Sequence, residues 1–343
     1  MFGSSTLEVA IGLIFVYLLL SLICTAANEL VAAVMKMRAK NLEKGIRNLL
    51  NDAPGNELAK KFYDHPLIKG LYSRDKKRPS YIPSRTFALA LMDIIMPVDG
   101  TRPKNIEDIR KLIDANKSLN KQVKKTLLVL IDEAGNNLDK GVSDFNKALN
   151  NIESWFNNSM ERVAGWYKRK TQIIIFVLAI LFTFSLNIDT IGIFKSLSND
   201  STLRASIVAA AQEAAKQPSF FNSGKQTGSE DTGAGITDAG TQPPSGDIQK
   251  TYGNLKTQIN EIGQLGIPMG WNTPFYDNKL KKTQKIWWWI TKFFGLILTV
   301  FAASLGAPFW FDILNKIISI RSTGKAQKDT PKTEKASASA ANP

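Results

Sequence analysis

Three long apolar segments restrict what this chain can fold into. They cover residues 7–34, residues 172–186 with an extension to 193, and residues 286–305. A helix needs about 20 mostly apolar residues to cross the hydrocarbon core of a bilayer. Inside that core the backbone must pair its own polar groups, which helices do. The sequence therefore predicts an all-α integral membrane protein with three transmembrane helices.

The flanks of these segments indicate how they begin and end. No Lys or Arg precedes the first segment, so it lacks the charged region of a secretory signal peptide, and we expect a retained helix. The third segment is followed by Gly306 and Pro308, which predict a break at 306–308. Apolar residues at helical spacing continue beyond that break to about residue 320, which predicts an interfacial or tilted helix.

The distribution of Lys and Arg predicts an orientation. Residues 36–170 contain 27 Lys and Arg against 16 Asp and Glu, whereas residues 187–285 contain 10 against 9, and the part after 305 contains 6 against 3. Cytoplasmic loops are the ones enriched in Lys and Arg. We therefore expect the N-terminus and residues 187–285 outside, and residues 36–170 and the C-terminus in the cytoplasm.

These patterns divide the chain into six parts, of which 36–170 is the largest. Apolar residues recur at steps of three and four in 36–170 and strand-like alternation is weak, which predicts a helical domain continuous with spans one and two. The predicted parts are transmembrane helix one (1–35), the cytoplasmic helical domain (36–170), transmembrane helix two (171–193), a small helical outer segment (194–285), transmembrane helix three (286–320) and a disordered tail (321–343).

Helices are also predicted inside the two polar regions. In the cytoplasmic domain they cover about 57–63, 85–95, 104–115 and 119–134, and a long helix begins near residue 138 and continues into span two. In the outer segment, Asp200 or Ser201 caps a helix that ends at about residue 216. Residues 217–247 are rich in Gly, Ser, Thr and Asp, which predicts a flexible linker. An amphipathic helix over 248–262 follows it.

A polar stripe in the first span is the strongest candidate for an intramembrane site. Ionisable groups inside membrane spans are functional candidates by default, but such a stripe also packs helices together, and a carboxylate near the interface pairs with Lys or Arg. Both interpretations remain open. The stripe consists of Ser21, Thr25, Asn28 and the adjacent Glu29.

Two further groups of residues are candidates for contact with ions or lipids. Asn187 and Asp189 mark the outer end of span two and are a candidate pore mouth. Lys292 within span three is expected to extend its ammonium group towards the outer interface. Basic and aromatic side chains near membrane surfaces contact lipid headgroups, and the candidates are Arg74, Lys76, Lys77, Arg78, Trp287, Trp288 and Trp289.

The residues that most often carry catalysis are scarce. Cys24 is the single cysteine and His65 the single histidine, so no disulfide forms within the chain and zinc sites of the usual type are excluded in one subunit. No P-loop, metalloprotease or nucleophile-elbow motif occurs. We therefore predict no catalytic, cofactor-binding or metal site and no enzymatic activity. The expected partners are membrane lipids, further copies of the chain or other membrane proteins, but not nucleic acid.

Several segments resemble an uncharacterised family of bacterial inner-membrane proteins. These are FYDHPLIKGLYS (62–73), RPSYIPSRTFALALMD (78–93), WFNNSMERVAGWYKR (155–169), NIDTIGI (187–193) and GAPFWFDILNKIISIRSTG (306–324). Where the resembling sequences carry two acidic residues after WF, this chain carries Asn157 and Asn158. The resemblance implies a bacterial inner membrane and implies no reaction.

Two functional classes follow from these patterns. The first is a non-enzymatic, oligomeric membrane scaffold or assembly subunit, favoured by the long helix that joins the cytoplasmic domain to span two. The alternative is a subunit of an ion channel or transport complex that uses the polar stripe around Glu29.

Overall fold

The computed structural model describes residues 2–51, 57–72, 78–96, 103, 105–136, 143–216 and 282–323, with isolated positions between 252 and 271. All regular secondary structure in these residues is α-helical. The predicted linker 217–247 lies outside the described residues, as do most of the predicted helix over 248–262 and most of the tail 321–343.

Twelve helices are present in the part of the chain that the structure describes. They are α1 (Phe2–Val34), α2 (Met37–Leu49), α3 (Leu58–Asp64), α4 (Pro66–Lys69), α5 (Ser84–Ile95), α6 (Ile106–Ala115), α7 (Lys121–Asn136), α8 (Asp144–Leu186), α9 (Thr190–Asn199), α10 (Ser201–Lys216), α11 (Lys282–Ser304) and α12 (Ala307–Thr323). Among the described helices, three are long and apolar enough to cross a membrane, namely α1, α8 and α11. The predicted all-helical class with three candidate spans is confirmed at that level.

The junction between α1 and α2 corrects one prediction. Helix α1 ends at Val34, and Lys36 adopts a left-handed conformation with φ of 50° before α2 begins at Met37. The predicted continuation of span one into the cytoplasmic domain without a break is therefore wrong. No Gly or Pro marks this site. Tertiary packing explains the break. Helix α2 is amphipathic, and its Leu42 and Ile46 have to lie in the hydrophobic core of the second unit.

Helix α8 confirms the second predicted continuity and corrects its end. It is a single helix of 43 residues, and its sequence changes from amphipathic to apolar along its length. The predicted extension of span two to residue 193 is wrong, because Asn187 has φ of 50° and ends the helix at Leu186. Asn tolerates the left-handed region better than most residues. Asp189 then caps the separate helix α9 by accepting a hydrogen bond from the Ile191 N–H (3.0 Å).

The break after the third span is confirmed. Gly306 has φ of 88°, a conformation that glycine adopts without steric cost, and its N–H donates to the Ala303 carbonyl. Pro308 lies in the first turn of α12, where a missing N–H costs no helical hydrogen bond. Helices α11 and α12 are therefore two separate helices joined at Gly306.

The chain divides into two compact units. The first contains Met1–Cys24, Ala179–Ser229 and Gln258–Pro343, and the second contains Thr25–Leu178 and Glu230–Thr257. Helices α1 and α8 each contribute residues to both units. The predicted polar stripe is divided accordingly, because Ser21 belongs to the first unit and Thr25, Asn28 and Glu29 belong to the second.

The second unit has one hydrophobic core, to which α2–α8 all contribute. Its centre is aromatic: the rings of Phe87 and Phe156 stack at 4.3 Å, and Phe62 lies 5.0 Å from Phe87. The four helices predicted before residue 138 are present as α3, α5, α6 and α7, with ends shifted by a few residues. The single-turn helix α4 was not predicted.

The first unit is a bundle of α9–α12 with the start of α1 and the end of α8. Helix α9 packs against α10 and α11, and α10 also packs against α12. A Cβ at Gly12 of α1 would lie 3.0 Å from the Leu197 side chain, which shows how closely α1 approaches α9. The predicted cap of α10 is confirmed, since the Asp200 carboxylate accepts hydrogen bonds from the Thr202 and Leu203 N–H groups.

Candidate functional site

A buried ion pair joins α9 to α11 in the first unit. The Lys292 ammonium lies 3.4 Å from Oδ2 of Asp189, and each side chain is only 10% exposed. The Lys292 ammonium also lies 5.9 Å from the centre of the Trp288 ring. The expectation that Lys292 extends to an outer interface is wrong, because its charge is neutralised inside the bundle. An uncompensated charge there would cost several kcal/mol.

Two glycines make room for the Asp189 carboxylate. A Cβ placed at Gly295 of α11 would lie 1.6 Å from Asp189 Oδ1, and a Cβ at Gly192 would lie 3.1 Å from Oδ2. Glycine inside a helix weakens it by roughly 0.5–1 kcal/mol relative to alanine. At Gly295 this cost is offset by the close approach of α9, because no larger residue fits while Asp189 stays in place.

A chain of hydroxyl groups lies beside this ion pair. Thr299 donates to the Gly295 carbonyl (2.9 Å) and accepts from the Thr190 N–H (3.1 Å). The Thr190 and Thr299 hydroxyls are 2.8 Å apart, and the Tyr17 hydroxyl lies 2.9 Å from that of Thr190. Since Thr299 has already donated its single proton, Thr190 donates to Thr299 and Tyr17 donates to Thr190. The chain links α1, α9 and α11 through paired buried groups.

A second charge cluster lies near the start of α1. Glu8 Oε1 accepts a hydrogen bond from Arg321 (3.0 Å), and Glu8 Oε2 lies 3.4 Å from Nε of Arg204. Arg204 also donates to the Leu197 carbonyl at the end of α9 (2.7 Å). Glu8 thus holds α10 and α12 against α1.

The Glu8–Arg321 pair brings together two residues that the predicted topology separates. Glu8 was predicted at the outer end of span one and Arg321 in the cytoplasm, which would separate them by the hydrocarbon thickness of about 30 Å. They are in contact, so the end of α12 lies beside the beginning of α1. The Ser21 hydroxyl donates to the Ala303 carbonyl (3.1 Å), which places the turn between α11 and α12 further along α1. The two helices form a hairpin with both of its ends towards the start of α1.

The residues of the polar stripe of α1 differ in their hydrogen-bond partners. Ser21 is buried and bonded to α11, whereas Asn28 is 2% exposed and its Oδ1 accepts no hydrogen bond from any residue that the structure describes. Glu29 is half-buried and forms no direct ion pair with a described residue, but Arg38 acts on its carboxylate electrostatically, so both interpretations of the stripe stay predictions. Asn28 is the member of the stripe whose buried oxygen has no described hydrogen-bond partner.

The candidate pore mouth lies inside the bundle of the first unit. Asn187 is 2% exposed and its amide donates to the Gly270 carbonyl (2.7 Å), while Asp189 is 8% exposed and paired with Lys292. Neither side chain faces open solvent in one copy of the chain. Their role at a pore therefore stays a prediction that depends on an assembly.

The candidate lipid contacts have different environments. Arg74, Lys76 and Lys77 lie outside the described residues, and Arg78 pairs with Glu43 and lies 4.7 Å above the Tyr63 ring. Partial burial of Glu43 opposes its ionisation, but hydrogen bonds from Arg78 and Arg47 outweigh this and lower its pKa. Trp287 is 68% exposed and Trp289 48%, and Trp288 is half-buried. The tryptophans are therefore available to a membrane interface, while Arg78 is held within the second unit.

Both ring nitrogens of His65 form hydrogen bonds within the second unit. Its Nδ1 accepts a hydrogen bond from the Leu67 N–H (3.2 Å), so in the neutral ring Nε2 carries the proton and donates to Asp93 Oδ2 (2.9 Å). Ser143 lines the same cavity, of about 590 Å³. A serine nucleophile needs a free histidine nitrogen to accept its proton, and both nitrogens of His65 are occupied. Among the described residues no three Cys, His, Asp or Glu side chains converge on a possible metal site.

Sequence patterns did not identify the Asp189–Lys292 pair as a site. Opposite charges within two apolar segments were the available signal, since charges buried in membranes pair with one another.

Searches of protein-family models, curated proteins and solved structures give no significant match. The resemblance to bacterial inner-membrane proteins therefore stays an expectation. Its WFNNSMERVAGWYKR segment lies within α8, and FWFDILNK lies within α12.

Proposed function

We propose that this protein is a non-enzymatic, membrane-embedded scaffold or assembly subunit. The observation that carries the proposal is helix α8, which is uninterrupted over 43 residues. Its Leu149, Ile152 and Phe156 are buried in the core of the second unit, and its later residues form an apolar candidate span. A membrane anchor and a folded domain built on one continuous helix suit a protein that holds partners at a membrane.

The surface of the apolar helices supports a membrane location. Large apolar side chains of α11 are exposed along its whole length, and those of α8 are exposed from residue 173 onward. A soluble protein rarely leaves an apolar surface of this extent uncovered. The exposed residues are Ile173, Phe176, Val177, Ile180, Leu181 and Phe184 of α8, and Ile286, Trp287, Trp289, Ile290, Phe293, Phe294, Leu298 and Phe301 of α11.

The internal pairing of buried charges favours a packed bundle over a water-filled path through a single chain. Asp189 is neutralised by Lys292, and Glu8 by Arg204 and Arg321. Ions that cross a pore exchange their water for polar groups that line it, and paired groups are not available for this.

The excess of Lys and Arg in residues 36–170 supports a cytoplasmic location for that segment, and the resemblance suggests a bacterial inner membrane.

A channel or transport subunit remains the second candidate because of Asn28 and Glu29. Both lie in a candidate span, and neither the Asn28 carbonyl oxygen nor the Glu29 carboxylate has a described hydrogen-bond or ion-pair partner. Several copies arranged around α1 would bring these groups together. The orphan polar atoms would then line a shared path.

Purification in a mild detergent followed by mass measurement and flux assays tests both candidates. The scaffold proposal predicts an oligomer or a complex with co-purifying membrane proteins, and no ion flux after reconstitution in liposomes. A monomer that captures no partner would contradict it. Flux that Glu29→Gln abolishes and the exposed control Glu133→Gln preserves would support the channel instead.

A further inference from the structure

Two groups of basic side chains flank the apolar parts of α1 and α8 in the second unit. One group follows the end of α1, and the other precedes the exposed apolar residues of α8. All six side chains are exposed. We call this set the basic collar, and it consists of Lys36, Arg38, Lys40, Lys168, Arg169 and Lys170.

Direct contacts between α2 and α8 bring the two groups onto neighbouring helices. The Asn41 side chain donates a hydrogen bond to the Val163 carbonyl (3.0 Å). A Cβ at Gly45 would lie 2.6 Å from Val163 Cγ2, so the two helices approach as closely as a glycine permits. The collar residues of α2 precede this contact by a few residues, and those of α8 follow it, which suits an antiparallel pair with both basic groups at one end.

The collar side chains form no salt bridges in the described part of the chain, and Arg38 acts on Glu29 only electrostatically. None of the six forms an ion pair with another residue that the structure describes. Other arginines of the same unit are paired with carboxylates, as Arg85 is with Glu153 (2.8 Å) and Arg110 with Asp132 (3.0 Å). The acidic residue nearest in sequence is Glu43, which pairs with Arg47 and Arg78. The next nearest are Glu29 and Glu161, and subtracting these two from the six collar charges leaves a net of four positive charges.

We propose that the basic collar binds the headgroups of anionic phospholipids. The proposal rests on the membrane location proposed above. Clusters of four to eight Lys and Arg directly beside a membrane span attract anionic lipid headgroups. Trp166, which is 40% exposed, precedes the α8 group by two residues, and amphipathic aromatic side chains prefer the interface between headgroups and acyl chains.

The neighbouring apolar residues favour lipid over nucleic acid or free phosphate. Val34 is 64% exposed and Met35 48%, immediately before Lys36, and Ile173, three residues after Lys170, is 65% exposed. A phospholipid offers a negative headgroup to the collar and acyl chains to these side chains at once. A phosphate ion or a nucleic acid backbone satisfies only the charges.

Lipid titration of the purified full-length protein tests this assignment. Binding is followed by native mass spectrometry in detergent, with phosphatidylglycerol as the anionic probe and phosphatidylcholine as the zwitterionic one. The wild type should prefer phosphatidylglycerol, and the preference should fall with added salt. Replacing all six collar residues by Gln should weaken phosphatidylglycerol binding roughly 10- to 100-fold.

Three comparisons make the outcome decisive. Lys111→Gln, Lys121→Gln and Lys125→Gln together remove exposed charges of α6 and α7 and should leave lipid binding unchanged. Exchanging Lys for Arg and Arg for Lys in the collar should preserve binding, which separates a folding defect from loss of charge. Equal weakening in the α6 and α7 variant, or equal occupancy by inorganic phosphate or a short DNA duplex, would overturn the proposal. A wild type absent from the membrane fraction would instead refute the membrane location itself.

Discussion

Gly295 lies directly against Asp189, so closely that a methyl group on its Cα would overlap the carboxylate oxygen. We expect Gly295→Ala to move Asp189 away from Lys292 or to separate α9 from α11, with a loss of roughly 1–3 kcal/mol from overpacking. Thermal unfolding in detergent would measure it. Gly165→Ala in α8 is the matched control, because nothing lies within 4 Å of its added Cβ. Replacing that glycine should be neutral or stabilising.

The Asp189–Lys292 pair predicts strong coupling between its two members. Asp189→Asn keeps the cap of α9 but leaves Lys292 charged and buried, and Lys292→Met leaves the carboxylate unpaired. Each single change should cost about 3–5 kcal/mol, and the double variant should cost less than the sum. Unfolding free energies of all four proteins give the coupling. Additive losses would show that the two charges do not interact.

Periodicity and helix-capping signals predicted most of the helices. Apolar residues at steps of three and four predicted α8 from its part in the core of the second unit to its apolar part. Asp200 predicted the start of α10. Gly306 and Pro308 marked the break between α11 and α12. Each of these signals is local, because it depends on side chains within one or two turns of the site it specifies.

The features that sequence patterns missed depend on contacts between distant segments. Lys36 ends α1 in a left-handed turn without any helix breaker, because α2 has to reach the core of its unit. Lys292 looked like an interfacial lysine because its partner Asp189 is 103 positions away in the chain. The cytoplasmic location of the end of α12 was predicted from charge counts alone, and such counts carry no information about its contact with Glu8.

Glu43 predicts a modest dependence of stability on pH. Its pKa is lowered in the folded state, so the stabilisation is complete above the unfolded pKa of about 4.3 and is lost as the pH falls through the folded value. Glu43→Gln should therefore cost less than about 1 kcal/mol at pH 7, since its partners Arg47 and Arg78 are 43% and 39% exposed.

Comparison at two pH values checks this prediction. The difference in unfolding free energy between wild type and Glu43→Gln should be largest at pH 7 and should shrink below pH of about 4. Glu133→Gln removes an exposed carboxylate of the same unit for which no ion pair is seen among described residues, and it should show no such trend. A difference that grows towards low pH would contradict the pairing of Glu43 with the two arginines.

The Glu8–Arg321 contact predicts that the start of α1 and the end of α12 are reached from the same side of a membrane. Thr6→Cys and Ser319→Cys place thiols at exposed positions close to the two residues, and Lys40→Cys places one at the start of α2. In sealed vesicles of one orientation, a membrane-impermeant maleimide should label the first two from one face and the third from the other.

The native thiol does not interfere with this measurement. Cys24 is fully buried, so the wild type should remain unlabelled until it is denatured and serves as the background control. Labelling of Thr6→Cys and Ser319→Cys from opposite faces would refute the hairpin and restore a complete crossing by the third span. Equal labelling of all three from one face would show that α1 does not cross the membrane. The hairpin therefore stands only if the two sites near the Glu8–Arg321 pair share a face that Lys40→Cys does not.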